Sequence, residues 1–302
     1  MKLSITVIGT GRMGSALAGS LLQSGYPTTV WNRTRQKTDP LARLGAIAAS
    51  SVEEAVNAGE IIIVNVSDYE ATKALLHSDA IASAIRGKLI VELTSGTPSG
   101  AREAAEWCTK HGANYLDGAI MATSDYIGTD AGTILLAGPR EAFDTNRDVF
   151  RALGGNVQHV GEEPGRANAL DSALLAIMWG VLFGTLHAIA VSQAEEIELG
   201  ELARQWSATA PVIDGLVTDL IKRTSAGRFA SDNETLSSIS AHHGAMQHLL
   251  ELMQFRGIDR SIVDGYDAIF KRAIAAGHLH DDFAALSHFL ATGKQHAFDA
   301  SH

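Results

Sequence analysis

The opening of the chain constrains its fold more than any other stretch. Ile5-Thr6-Val7-Ile8 reads as a short strand and runs straight into Gly9-Thr10-Gly11-Arg12-Met13-Gly14. Residues Ser15 to Ser24 then carry apolar side chains at helical spacing. A G-x-G-x-x-G run alone is a weak signal. Between a strand and a helix it predicts the first turn of a dinucleotide-binding βα unit. There the first glycine makes the tight turn, the second admits a pyrophosphate to the backbone, and the third lets helix pack on strand. The phosphates sit on free N–H groups at the positive helix end. Gly9, Gly11, Arg12, Met13 and Gly14 are therefore expected at the cofactor.

The first 160 or so residues continue in that style. Thr28–Trp31, Ile61–Val66, Lys88–Leu93, Tyr115–Asp117 and Thr133–Ala137 read as strands, with helical stretches at 51–58 and 99–112. Strands apolar on both faces, separated by helices, predict a mostly parallel sheet. This is an α/β Rossmann-type domain, expected over residues 1–163. After Gly161 the strand patterns stop, and 164–302 reads as an all-α domain. It opens on a long interdomain helix at about 165–196. Helix-period patterns follow at 202–223, 240–256, 262–276 and 282–290, with stops expected at Gly257 and Gly277.

The long helix has a 19-residue middle, Ala173 to Val191, that is uncharged apart from the titratable His187. Its length suits a membrane span. Thr185 and His187 within it, Asp171 before it, and the lack of flanking cation asymmetry or aromatic belts argue against one. A helix apolar all round also suits the centre of a helical assembly. So much apolar helix is hard to bury in one chain, which predicts a two-fold homodimer. The formal net charge of −10 disfavours nucleic acid and anionic membranes as partners. A single cysteine, Cys108, leaves no internal disulfide and fits a cytoplasmic setting. The first apolar run is too short for a signal peptide.

The end of the second strand indicates which nucleotide is bound. An NAD site places an acid there for the ribose 2′-hydroxyl. This chain has Asn32-Arg33-Thr34-Arg35-Gln36-Lys37, with no carboxylate and three cations. Such a turn suits a 2′-phosphate, and hence NADPH. Arg33 is the expected main ligand, assisted by Asn32, Thr34 and Lys37. Asn65, Val66, Ser67 and Thr94 end the next two strands and are expected to flank the nicotinamide ribose.

Three further segments carry a family resemblance. They are Leu93-Thr94-Ser95-Gly96-Thr97-Pro98, the Leu116-Asp117-Gly118-Ala119-Ile120-Met121-Ala122 run and Pro164-Gly165-Arg166-Ala167-Asn168-Ala169-Leu170-Asp171. With the glycine loop, they resemble the imine reductases, within the wider β-hydroxyacid dehydrogenase superfamily, over essentially the whole chain. The resemblance implies a domain-swapped dimer whose pocket is closed by the partner's C-terminal helices. It also implies reduction of C=N bonds of cyclic imines or iminium ions by NADPH, without a metal. Superfamily members acting on hydroxyacids have a catalytic lysine early in the long helix. Here no lysine occurs between Lys110 and Lys222. Asp171 instead matches the aspartate common in imine reductases. An acid that protonates the nitrogen, or a carboxylate that stabilises the cation, supplies the catalysis this reaction needs.

Met178 and Trp179, two turns on, bracket the helical face of Asp171 and are expected at the substrate. Met121 is a pocket wall by resemblance. Glu92 stands where the family commonly has asparagine: it either adds a second carboxylate to the pocket or is salt-bridged away. Trp206 and His242 are weaker pocket candidates, reaching a partner's site or packing in a core. His243, His248, His278 and His280 show no metal-ligand spacing. Two other functions remain open. One is a dehydrogenase of hydroxyacids or carbonyls, which the missing lysine disfavours. The other is a non-catalytic NADPH sensor.

Overall fold

A computed structural model describes residues 2–290. These residues form two compact units that divide between Met178 and Trp179.

The first unit is built on an eight-stranded sheet of order β3-β2-β1-β4-β5-β6-β7-β8. The strands are β1 (Ile5–Ile8), β2 (Thr28–Trp31), β3 (Ile47–Ala48), β4 (Ile61–Val64), β5 (Leu89–Glu92), β6 (Asn114–Ile120), β7 (Thr133–Ala137) and β8 (Asn156–Gly161). Every neighbouring pair is parallel except β6 with β7. In β1, β4 and β5 every residue is buried, as strands covered on both faces require. The helices are α1 (Arg12–Gln23), α2 (Asp39–Arg43), α3 (Val52–Ala58), α4 (Tyr69–Leu76), α5 (Asp79–Ala84), α6 (Pro98–Lys110), α7 (Arg140–Thr145) and α8 (Arg147–Leu153). Two cores result. Leu17, Leu21, Ile63, Val91 and Phe150 belong to one, and Ile8, Ile62, Val64, Ile85 and Ile90 to the other. Alternate residues of β4 thus serve opposite layers.

The strand expected at Ile61–Val66 stops at Val64. Strands β3 and β8 and helices α2, α4, α5, α7 and α8 were not anticipated. These helices span only five to eight residues, too short to display a helical period. For α4 and α5 the signal lies in the caps: Asp68 accepts from Ala71 N–H and Ser78 from Ile81 N–H.

Helix α9 (Arg166–Ala194) leaves the first unit as one unbroken element. It is long and apolar enough to cross a membrane, and none of its most apolar stretch is buried in the single chain. Leu182, Phe183 and Leu186 are 45–59% exposed. The helix ends two residues before the expected 196, and Glu196 turns left-handed with φ +57.

The second unit contains α10 (Leu199–Ser225), α11 (Ile239–Arg256), α12 (Ser261–Ala275) and a 3-10 turn (Phe283–Phe289). Ile239, Phe270, Ala273 and Leu286 form one core; Leu250, Met253 and Val263 form another. The buried Arg223 guanidinium pairs with Asp232 and Asp282 at 3.1 and 3.0 Å. Asp282 also accepts from Ala284 N–H at 2.9 Å. The expected helix at 282–290 is instead a 3-10 turn, Phe283–Phe289, capped by Asp282. Gly257 ends α11 in the left-handed conformation, as expected from the sequence.

Candidate active site

The glycine loop has the geometry its sequence predicts. Gly9 has φ +93, and a Cβ there would lie 2.1 Å from Asn65 O. A Cβ at Gly14 would lie 1.9 Å from Gly9 O. Both glycines are therefore required by the protein's own packing. Gly11 differs: a Cβ there would meet no atom within 4 Å. Nothing in the protein demands glycine at this position, but a ligand pressed to the backbone would. No side chain caps α1 and its first turn holds no acid, so its N–H groups are available to an anion. The hydroxyl of Thr10 is buried without a hydrogen-bond partner beside them. These features fit a pyrophosphate. Thr10 itself was hidden in the sequence as an unspecified position of the motif.

Asn32 makes two hydrogen bonds within the protein beside its expected contact with the phosphate. Its Oδ1 accepts from Thr10 N–H and its Nδ2 donates to Thr34 O, both at 3.0 Å. The Oδ1 bond ties the glycine loop to the end of β2, and the Nδ2 bond braces the turn that carries Arg33 and Thr34. Arg33, Thr34 and Lys37 are exposed on that turn, where a 2′-phosphate would be met. Arg12 is also exposed, while Met13 packs on the sheet core. Asn65 Nδ2 donates to Leu93 O at 2.7 Å, and Val66 N–H donates to Thr94 Oγ1 at 3.0 Å. The ends of β4 and β5 are thereby locked together, with Ser67 exposed just beyond.

Below this layer lies a buried polar cluster. Glu92 and Asp117 are register partners on adjacent parallel strands, and both have no exposed surface. Glu92 thus departs from both expectations: it neither lines an open pocket nor forms a salt bridge with a described residue. Glu92 Oε1 accepts from Thr94 N–H at 3.2 Å, while Oε2 is unpartnered. Burial pushes its carboxyl up to about 8, and the nearby Asp117 adds to this. At neutral pH Glu92 is therefore mainly a neutral acid.

Asp117 is better served. Its Oδ1 accepts from Tyr69 Oη and Asn168 Nδ2, each at 2.6 Å. Its Oδ2 accepts from the backbone N–H groups of Gly165 at 3.1 Å and Asn168 at 3.4 Å. Burial raises its carboxyl above the ordinary range, against the pull of those hydrogen bonds. Burial and the adjacent carboxylate keep the Tyr69 phenol protonated. Asp117 and Asn168 were visible in the sequence only as parts of motifs. Tyr69 carried no signal at all.

Asp171 follows on α9, one turn beyond Asn168. It is partly buried, and that desolvation raises its carboxyl. It is the only acid in α9. Met121 packs with Ala119, Leu135 and Ala167, against the start of the same helix. Met178 is 41% exposed on α9.

The remaining expected pocket residues belong to the second unit. Trp179 is 52% and Trp206 46% exposed. His242 lines an apolar cavity of about 530 Å³ with Leu216, Met246, Phe270 and Phe283. Its ring meets Phe283 edge-on at 4.7 Å, and burial holds its pKa below the usual histidine value.

Comparison with known proteins agrees with this geometry. Residues 4–161 match the NAD binding domain of 6-phosphogluconate dehydrogenase. Residues 163–292 match the C-terminal domain of NADPH-dependent reductive aminase-like proteins. An NADPH-dependent reductive aminase from Aspergillus oryzae is 30% identical, with 97% of this chain and 99% of that protein aligned. An imine reductase from Myxococcus stipitatus, solved with NADP+, superposes with a TM-score of 0.91 at 50% identity, covering 95% of this chain and all of that one. A reductive aminase from Aspergillus terreus, solved with NADPH and ethyl levulinate, gives a TM-score of 0.87 at 29% identity, covering 96% of this chain and all of that one. The Rossmann-type sheet, the helical half that follows it and these relatives place the chain in the imine reductase and reductive aminase family.

Proposed function

We propose that this protein reduces the C=N bond of cyclic imines or iminium ions to amines with NADPH, and that Asp171 assists as proton donor or iminium stabiliser. The observation that carries the reading is the position of Asp171. It is the sole acid of α9, partly desolvated at the head of that helix's long apolar stretch, where the resemblance puts the lysine of a hydroxyacid dehydrogenase. Bound NADPH supplies the hydride to the imine carbon. A protonated Asp171 gives its proton to the nitrogen; ionised, it faces the iminium charge. Its raised pKa suits the first role. The cradle of Gly9, Gly11 and Gly14, with α1 behind it, holds the pyrophosphate. Arg33, Thr34 and Lys37 hold the 2′-phosphate.

The substrate is a small organic imine or amine, walled by Met121, Met178 and Trp179. The protein acts as a cytoplasmic homodimer whose domains divide in sequence near 163/164, as the two family regions do, while the compact units divide within α9 at 178/179. The bare apolar face of α9 supports this, because a patch of that extent calls for a partner. Trp206 and His242 belong to the surface that completes a partner's pocket.

The test compares NADPH consumption with a simple cyclic imine against NADP+ reduction with a 3-hydroxyacid. The expected result is consumption with the imine and none with the acid. Activity with the hydroxyacid alone would overturn the assignment. Asp171→Ala is expected to lower turnover by at least about tenfold while NADPH still binds. Unchanged turnover would remove Asp171 from the mechanism.

A further inference from the structure

The first turn of α9 is held by an element far away in sequence. A helix of this length ordinarily opens on a local cap of serine, threonine, aspartate or asparagine. Glu163-Pro164-Gly165 offers none. The cap comes instead from β6: Asp117 Oδ2 accepts the backbone N–H groups of both Gly165 and Asn168. The difference is physical. A local cap stabilises a helix wherever it lies, whereas a cap from a sheet strand fixes where the helix lies.

The remaining contacts of Asp117 serve the same end. Its Oδ1 accepts from the Asn168 side chain and from Tyr69 on α4. With four donors, the carboxylate has reached its usual capacity. Asn168 Nδ2 also donates to Tyr69 Oη at 3.0 Å, and its Oδ1 accepts from Gly96 N–H at 3.3 Å. Gly165 has φ +92, and a Cβ there would lie 2.5 Å from Pro98 O, so α9 starts hard against the start of α6. Rotation and depth of the first turn are thus both set. Asn168 and Asp171 are three residues apart, neighbours on one helical face and about 4.5 Å apart along the axis. Whatever turns Asn168 also turns Asp171.

We infer that Asp117 is a positioning residue for Asp171, acting through the first turn of α9. This rests on the reading of Asp171 given above. In Asp117→Asn the amide nitrogen replaces one acceptor oxygen, so two of the four donors lose their partner while the side chain keeps its shape.

The experiment is a double-mutant cycle on the full-length protein, read as single-turnover NADPH oxidation with a cyclic imine, with NADPH affinity measured separately. Asp117→Asn is expected to lower the rate about tenfold while NADPH affinity changes less than about twofold, and to lower it less than about twofold in the Asp171→Ala background. A merely structural role would move both backgrounds equally, and that result would overturn the inference. A wild-type rate in Asp117→Asn alone would overturn it too. If Asp171→Ala itself turns over normally, the underlying reading fails first and this inference with it. Should Asp117→Asn fail to fold, Tyr69→Phe runs the same cycle. It removes one donor, keeps the ring, and is expected to cost about threefold only where Asp171 is present.

Discussion

A carboxyl with no surrounding water, such as Glu92, makes the protein sensitive to pH. Its folded pKa is near 8, whereas an unfolded glutamate titrates near 4.3. Between those values the folded chain holds a proton that the unfolded chain has released. Stability from this group is therefore full below the unfolded pKa and drains away as pH rises toward 8. Removing the titration removes the slope. Glu92→Gln is expected to flatten the pH dependence of stability between pH 5 and 8 by about 1 kcal/mol per unit. Urea melts of both proteins at three pH values in that window check this, and parallel slopes would refute it. Arg33, proposed to hold the 2′-phosphate, lies on an exposed turn with no acid beside it in sequence. Arg33→Ala is expected to weaken NADPH binding by about tenfold to a hundredfold while NADH binding barely changes. Equal losses for both cofactors would remove Arg33 from the 2′-phosphate site. The cationic turn around Arg33 is legible from its neighbours in sequence, whereas the surroundings of Glu92 are not. The Glu92 carboxyl is raised first by burial, opposed by the hydrogen bond from Thr94 and reinforced by Asp117 across the sheet, and that register pair joins residues 25 positions apart.

At the scale of the element, the β1–α1 unit separates two uses of glycine. Gly14→Ala places a methyl 1.9 Å from Gly9 O, so the turn must open. A loss of stability of about 1–3 kcal/mol is expected, as for other overpacked sites. Gly11→Ala meets nothing in the protein and is expected to cost no more than about 1 kcal/mol, mostly at the helix cap. NADPH affinity should nevertheless collapse. Thermal melts with and without NADPH distinguish the two: one variant melts early in both, the other loses only the shift that the cofactor gives. A Gly11→Ala protein that binds NADPH normally would mean the cradle is misplaced. This unit was legible from the sequence because its glycines, strand and helix are contiguous. The short helices α4 and α5 were not legible, and α4 supplies Tyr69 to the buried cluster.

The whole molecule carries an apolar helix that a single chain leaves uncovered. Exposed Leu182, Phe183 and Leu186 at its centre are the expected subunit contacts. Leu186→Arg is expected to lower the apparent mass in sedimentation from dimer toward monomer and to make the melting temperature depend on protein concentration. A Leu186→Arg protein that remains dimeric at all concentrations would place the interface elsewhere. Trp206 and His242, proposed to complete a partner's pocket, belong to this scale as well.

The sequence by itself determined the layered αβ half, the helical half, the glycine loop, the cationic turn and the candidate acid Asp171. Each is a local pattern: a period of two or of 3.6, a glycine spacing, or a charge among apolar neighbours. Only the tertiary structure decided what surrounds those patterns. It buried Glu92 instead of exposing it to a pocket, bonded Asn32 Oδ1 to the glycine loop and its Nδ2 to Thr34, and left the Thr10 hydroxyl without a partner. It also joined Asp117, Tyr69 and Asn168 at the start of α9. Hydrogen bonding and desolvation depend on distances across the sheet, and residues up to 99 positions apart meet there through topology that no local spacing encodes.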